Sequence, residues 1–167
     1  MQVWTSLKGD ALPDAFFEVA RRVYEGDPHW PVEDEAVVRW MFSPQHAYGE
    51  AIDWIACGLG EKVRAAAFFD KNLLMDEVPS ACFGYWEGLN EPEAHREVLK
   101  FIETWARERG AKKLYGPINF STYYAYRIRT DGFLNEPPFP GECYNPEFYQ
   151  SILTAQGYST RETYLSY

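Results

Sequence analysis

The chain has 167 residues, a formal net charge of −9 and 46% hydrophobic residues. This length and hydrophobic fraction predict one folded domain, spanning residues 1–167, with a substantial core. The negative charge repels phosphate groups, so it argues against nucleic acid or an anionic membrane surface as the main partner.

The few cysteines and histidines argue against metal and disulfide chemistry. There are three of each, and neither type shows the spacing of metal ligands, so we expect no bound metal. An odd number of cysteines favours a reducing compartment. The sequence has no signal peptide and no apolar run of membrane length, so we expect a cytoplasmic protein.

The first half of the chain predicts strands and helices in alternating blocks. Apolar residues at helical or alternating spacing, bounded by glycine and proline, set the boundaries. Strands are expected over residues 2–8, 51–57 and 62–70, and helices over residues 12–25 and 32–42. Residues 43–50 are expected to form a loop. The second and third strands should form a hairpin, and residues 71–80 a surface connection.

The centre of the chain predicts a strand, a helix and a second strand, over residues 81–87, 91–108 and 112–115. The helix has an apolar stripe, and Gly110 ends it, because glycine readily adopts the left-handed conformation there. The stripe consists of Val98, Phe101, Ile102 and Trp105. A strand, a crossover helix and a strand imply a right-handed unit with parallel pairing.

The last third of the chain predicts an irregular insert over residues 118–145, within which residues 121–129 could form a short helix. A helix over residues 146–156 and a strand over residues 159–167 should follow. The complete order predicts an α+β fold. Its sheet should be mixed, mostly antiparallel and twisted, with helices on both faces and one central βαβ crossover.

This order, with the segments WARERGAKKLYG and FYQSILTAQGY, resembles the GNAT superfamily of acyl-CoA N-acyltransferases. The segments LYGPINFS, YNPEFYQSIL and AQGYSTRETYLSY are similar to a branch of longer bacterial GNAT-like proteins, in which the corresponding region is a first half. The resemblance implies a GNAT-like sheet and acyl transfer from an acyl-CoA thioester to an amine of a small molecule. A more distant likeness to the Fem-type peptidyltransferases implies an aminoacyl-tRNA donor, which the negative charge disfavours.

The resemblance also implies a nucleotide-binding loop before the central helix. In the superfamily this loop reads Gln/Arg-x-x-Gly-x-Gly/Ala, and its amides hold the CoA pyrophosphate. The corresponding residues here, and so the expected cofactor-binding set, are Asn90, Glu93, Ala94 and His95. Glu93 and His95 replace the two glycines, and a carboxylate at this place repels phosphates. Alternatively, the glutamates of this loop only stabilise the dipole of the helix.

Three tyrosines are candidates for a general acid. The superfamily's tyrosine that protonates the leaving thiolate aligns with Leu153, which cannot donate a proton, and Tyr149 lies one turn earlier on the same face. Tyr124 and Tyr144 of the insert are the other two candidates. All three side chains could instead be part of the core.

The insert supplies the expected substrate-binding residues. Asn119, Ser121 and Asn145 could hydrogen-bond a polar substrate, and Arg127 could bind an anionic group. The alternatives are that Asn119 and Ser121 cap a helix and that the arginine pairs with the acidic surface.

The predicted sheet ends one strand earlier than the superfamily pattern. An open sheet edge is usually covered, so we expect a homodimer or a partner chain at the C-terminal edge. The departures in the loop and at this edge leave an alternative function open. The chain could be a non-catalytic GNAT-like module that binds a small ligand or a protein partner.

Overall fold

A five-stranded sheet forms the centre of the computed structural model, which describes residues 3–133 and 139–165. In order across the sheet, the strands are β1 (Val3–Leu7), β2 (Asp53–Leu59), β3 (Val63–Met75), β4 (Val78–Gly88) and β5 (Lys113–Tyr115). Strands β1 to β4 pair antiparallel, and β5 pairs parallel to β4. The predicted mixed, mostly antiparallel sheet is therefore confirmed.

Helices cover both faces of the sheet in the described residues. They are α1 (Asp14–Val23), α2 (Glu35–Met41), α3 (Ala47–Ala51), α4 (Pro92–Glu108) and α5 (Tyr149–Ala155). The first two bury Phe16 and Val38 against one face, and the last two bury Val98 and Ile152 against the other. None of the described helices is long and apolar enough to cross a membrane.

The predicted central unit is present. Helix α4 buries Val98, Ile102 and Trp105, and it is followed by Gly110 at a φ of 92°. The residues that pair between β4 and β5 are Ser80–Cys82 and Lys113–Tyr115. A polar outer face and an apolar inner face at helical spacing were sufficient to locate this unit.

The expected surface connection over residues 71–80 is wrong. Strands β3 and β4 instead continue to a two-residue turn formed by Asp76 and Glu77, whose φ angles are 53° and 62°. Both central residues of such a hairpin turn need a positive φ, which glycine and asparagine adopt most readily. The turn was missed because it contains neither glycine nor asparagine.

Three other expectations for local structure are also wrong. Residues 47–51 are helix α3 and not loop, and residues 121–129 contain no helix. Residues 159–165 form no strand, although Arg161 ties this segment to Asp76 at 2.8 Å. Parts of the first and last predicted strands and of the insert fall on residues 1–2, 166–167 and 134–138, which lie outside the described residues.

Strand β4 carries a bulge near its carboxyl end. Tyr85 and Trp86 together oppose Ala65 of β3, and Tyr85 has a φ of 47°. A bulge re-aims the side chains that follow it, and bulges are common beside functional sites. The bulge therefore determines where the next side chain of β4, Glu87, is directed.

The chain after β5 stays close to β4 without forming a strand. The amide of Ile118 donates to the carbonyl of Phe83 at 2.7 Å, and Asn119 accepts a hydrogen bond from the amide of Tyr85 through Oδ1, also at 2.7 Å. A Cβ atom at Gly84 would lie 2.3 Å from the carbonyl oxygen of Ile118, so only glycine permits this approach. The insert consequently begins beside the bulge.

Candidate functional site

The carboxylate of Glu87 lies near the end of β4, directly after the bulge. Its Oε2 atom accepts hydrogen bonds from the hydroxyl groups of Tyr149, at 2.6 Å, and Tyr24, at 3.0 Å. Burial raises the pKa of Glu87 to about 7, and Arg64 and the Tyr149 hydroxyl oppose that rise. A carboxylate with this pKa is a stronger base than an exposed glutamate and can exchange a proton near neutral pH.

Tyr149 joins helix α5 to this carboxylate. Its side chain is buried, and its hydroxyl accepts a hydrogen bond from the amide of Gly88 at 2.8 Å while donating to Glu87. Burial and the charge of Glu87 raise the pKa of Tyr149 well above its ordinary value. The phenol therefore keeps its proton and serves as a hydrogen-bond donor to the carboxylate.

Arg64 lies directly across from Glu87 in the β3–β4 register and is buried. Its guanidinium donates to the carbonyl of Phe16 at 2.8 Å and to Oε1 of Glu33 at 2.7 Å. A buried charge needs a partner of opposite charge, which Glu33 provides. None of the ion pairs formed by the described residues includes Glu87, so only neutral hydroxyl groups bond its carboxylate.

A cavity of about 140 Å³ opens in front of Glu87. The end of β4 and Tyr149 form one side, and Pro117, Asn119 and residues 124–128 and 141–145 form most of the rest. Glu33 completes the wall. An apolar cavity of about this size in another protein accommodates benzene, so the space can hold a small molecule.

Most of the insert residues expected to bind substrate reach this cavity, but each already has a structural partner. Asn119 accepts a hydrogen bond from the amide of Tyr85 at 2.7 Å. Asn145 ties the insert together, because its Oδ1 accepts a hydrogen bond from the amide of Arg129 at 2.7 Å. Arg127 also lines the cavity and pairs with Glu142 at 3.1 Å.

Ser121 does not reach the cavity. Its hydroxyl lies 3.5 Å from that of Tyr48. It also accepts a hydrogen bond from the amide of Tyr123. It caps no helix, because residues 121–129 contain none.

The three candidate tyrosines all line the cavity, in different environments. Tyr149 is the buried donor to Glu87, and Tyr124 is 38% exposed. The hydroxyl of Tyr144 donates to Oδ2 of Asp27 at 2.5 Å, and burial and that carboxylate raise the pKa of Tyr144 to about 12. Leu153, at the superfamily's tyrosine position, is buried in the core.

The expected nucleotide loop lies outside the cavity wall and is poorly suited to a pyrophosphate. The amides of Ala94 and His95 both donate to the carbonyl of Glu91, and Pro92 has no N–H, so these groups do not face a ligand. The carboxylate of Glu93 is exposed and pairs with Arg96. Asn90 is exposed, and the Ala94 side chain is buried.

The His95 side chain is part of the core. It is fully buried, its Nε2 lies 2.8 Å from the carbonyl oxygen of Leu89, and its ring packs against Trp86 and Tyr149. Burial lowers the pKa of His95 to about 4, so the ring is neutral at physiological pH and brings no positive charge to a phosphate.

Glu87, Tyr24, Arg64 and Glu33 were not expected at this cavity from the sequence. A signal was present for two of them, because Arg64 and Glu87 are single charged residues within the apolar runs VRAAAFF and SACFGYWEG. A charge inside a buried strand needs an explanation. The two tyrosines could not have been matched to Glu87, because residues 24 and 149 meet only in the folded chain.

No protein-family model matches the sequence, and no curated protein does. Two solved structures share the fold. One is the "putative acetyltransferase from Agrobacterium tumefaciens str. C58", with a TM-score of 0.56 and 12% identity, matched over 100% of this chain and 99% of that one. The other is glucosamine-6-phosphate N-acetyltransferase from Arabidopsis thaliana, with a TM-score of 0.50 and 9% identity, matched over 100% and 98%. The chain therefore has a GNAT-like fold.

Proposed function

We propose that this protein transfers an acyl group from a thioester to the amine of a small molecule, and that Glu87 is the general base. The observation that carries the proposal is a partly buried carboxylate with a pKa of about 7, facing a cavity in a GNAT-like fold. An amine in the cavity would lie beside this carboxylate.

The proposed reaction begins with a protonated amine in the cavity, which gives one proton to Glu87. The nitrogen lone pair then attacks the acyl carbon, forming the C–N bond, and the C–S bond breaks with its electron pair on sulfur. The nitrogen of the new C–N bond then releases its surplus proton, which leaves a neutral amide, and the departing thiolate takes up that proton to become a thiol. Glu87 returns the first proton to solvent. Base catalysis of this kind contributes about 10²–10⁴-fold in rate.

Tyr149 and Tyr24 position the base in this scheme. Their hydroxyl groups fix Oε2 of Glu87, leaving the rest of the carboxylate for the amine. Tyr144, whose hydroxyl is bonded to Asp27, and the more exposed Tyr124 lie elsewhere in the wall. Tyr124 is the candidate for protonating the thiolate, because no described hydrogen bond occupies its hydroxyl.

Recognition of the donor would rely on its acyl end. The amides of Ala94 and His95 are bonded to the carbonyl of Glu91 and the carboxylate of Glu93 is exposed, so the loop is a poor cradle for the pyrophosphate of CoA. Acyl-CoA is accordingly one candidate thioester donor, and contacts between its nucleotide and this loop should add little to its binding free energy.

The test is an acyl-transfer assay with a mixture of small amines and two acetyl thioesters, acetyl-CoA and S-acetylpantetheine. Products are identified by mass spectrometry. The proposal expects an acetylated amine that depends on enzyme and falls at least about 100-fold with Glu87→Gln. Equal product with the wild type and the variant, or none with either thioester, would reject it.

A second candidate function is a non-catalytic module of the same fold that binds a small ligand or a protein partner. It is favoured by Asn119, whose side chain already accepts a hydrogen bond from the amide of Tyr85 in β4, and by the bonds of the Ala94 and His95 amides to the carbonyl of Glu91. In this case a second copy or a partner chain would cover the edge of β5. Light scattering that shows a monomer, together with acyl transfer, would exclude this candidate.

A further inference from the structure

The carboxylates around the cavity outnumber the cations beside them by three to two. Glu33 pairs with Arg64 and Glu142 pairs with Arg127, so each of these pairs is neutral as a whole. Glu87, also in the wall, is bonded to hydroxyl groups alone. With Glu87 ionised, the cavity wall carries a net negative charge, which attracts a cation and repels an anion.

Aromatic residues form much of the remaining wall. Trp86 contributes from β4, and Tyr124 and Tyr126 from the insert. Ring faces attract ammonium groups, at about 0.5–1 kcal/mol on exposed sites and more in desolvated ones. These rings also bury the alkyl part of a ligand, whereas a strongly hydrated anion gains nothing from them.

The volume sets the size of the ligand. A space of about 140 Å³ is close to the cavity that accommodates benzene in another protein. A short alkyl amine fits this space.

We propose that the cavity in front of Glu87 is the acceptor subsite and selects a compact primary alkylammonium ion over neutral and anionic molecules of the same size. The role of acceptor subsite rests on the proposed function. Binding of the ammonium ion does not, because it requires no turnover. The ammonium group lies against the Glu87 carboxylate, and its alkyl chain lies among the rings.

The pH dependence of binding gives a test without any variant. Glu87 gains its charge near pH 7, so ammonium affinity should rise at least tenfold between pH 5.5 and 8. The other charged or titratable groups that face Glu87 come from β3, from α1, from α5 and from the segment before α2. They are Arg64, Tyr24, Tyr149 and Glu33. The arginine and both tyrosines keep one protonation state over this range, because their pKa values lie above it.

The experiment is a titration of the full chain with n-butylammonium, 1-butanol and butyrate at low salt, followed by the indole N–H resonance of Trp86. At pH 8 the dissociation constant for n-butylammonium should be at least tenfold below that for 1-butanol, and butyrate should not bind. Glu87→Gln should raise the ammonium constant to that of the alcohol. Glu97→Gln, on the exposed face of α4, is the matched control and should leave it unchanged.

Three results would overturn the inference: equal binding of 1-butanol and n-butylammonium, binding of butyrate, or an affinity for the ammonium ion that is flat with pH in the wild type. The two proposals fail separately. Selective ammonium binding without acylated product keeps the subsite and rejects the acyltransferase. Acylation of amines without selective binding of the ammonium ion keeps the acyltransferase and rejects the subsite.

Discussion

The hydroxyl of Tyr149 donates to the carboxylate of Glu87 at 2.6 Å and accepts the amide of Gly88 at 2.8 Å, so helix α5 is joined to the end of β4. This contact links two parts of the chain 62 residues apart. It holds a carboxylate in place where burial would otherwise favour its neutral form.

Replacing Tyr149 with phenylalanine removes this donor. The variant should lose about 1–3 kcal/mol of unfolding free energy, because the amide of Gly88 is left without its acceptor. The pKa of Glu87 should rise above its present value of about 7, since the Tyr149 hydrogen bond lowers it. Any activity that needs the ionised base should then move to higher pH.

The pH–rate profile separates this positioning role from proton donation by Tyr149 itself. A shift of the profile toward higher pH, with most of the plateau rate retained, supports positioning. A lower plateau at an unchanged pH would instead identify Tyr149 as the acid that protonates the leaving group. Tyr123→Phe is the matched control, since that side chain is 93% exposed.

Much of the fold could be predicted from the sequence, because the apolar stripe of α4 and the strands around it follow simple periodicities. The Asp76–Glu77 turn could not, since its residues do not show the usual preference for a positive φ. The site was predicted in part. The irregular insert was expected to supply binding residues, and several of its residues line the cavity, but Glu87 was missed, because its pKa depends on burial and on partners distant in sequence.

Glu87→Gln should change how stability depends on pH. The pKa of Glu87 is about 7 in the folded protein and close to 4.5 when it is unperturbed. The folded state therefore holds this proton more tightly, and the stability that Glu87 contributes at low pH is lost as pH rises from about 4.5 to 7.

Glu87→Gln has no such loss. The difference in unfolding free energy between the variant and the wild type should therefore shift in favour of the variant by about 2 kcal/mol between pH 5 and pH 8. Urea unfolding at the two pH values measures this difference. Glu97→Gln, an exposed change, should follow the wild type at both. A constant difference between Glu87→Gln and the wild type would show that Glu87 titrates normally.

The loop before α4 should contribute little to the binding of CoA. Because the amides of Ala94 and His95 are bonded to Glu91 and the Glu93 carboxylate is exposed, the KM values for acetyl-CoA and S-acetylpantetheine should agree within about threefold. A KM for acetyl-CoA that is orders of magnitude lower would show that the loop holds the nucleotide after all.

Removing the charge of Glu93 provides a second measurement on the same loop. Glu93→Gln also frees Arg96, so at low salt it should lower the KM for acetyl-CoA by about fivefold. The effect should disappear at high salt, where surface charges are screened. The KM for S-acetylpantetheine, which lacks the nucleotide, serves as the internal control and should not change.

Glu77→Gly should stabilise the protein. Glu77 is exposed and has a φ of 62°, a conformation that costs a residue with a side chain roughly 1–2 kcal/mol. Glycine avoids this strain but loses more conformational entropy on folding, which offsets part of the gain. We expect a gain in unfolding free energy of up to about 1 kcal/mol by urea unfolding. Glu97→Gly, in the middle of α4, should instead lose about 1 kcal/mol.

The account depends on Glu87 being a base that titrates near neutral pH inside its cavity. The most direct measurement is the pH titration of its side-chain carboxyl carbon by 13C NMR, assigned by comparison with Glu87→Gln. A midpoint near pH 7, moving lower when n-butylammonium is present, is the predicted result. A midpoint near 4.5 that the amine does not change would contradict the central claim.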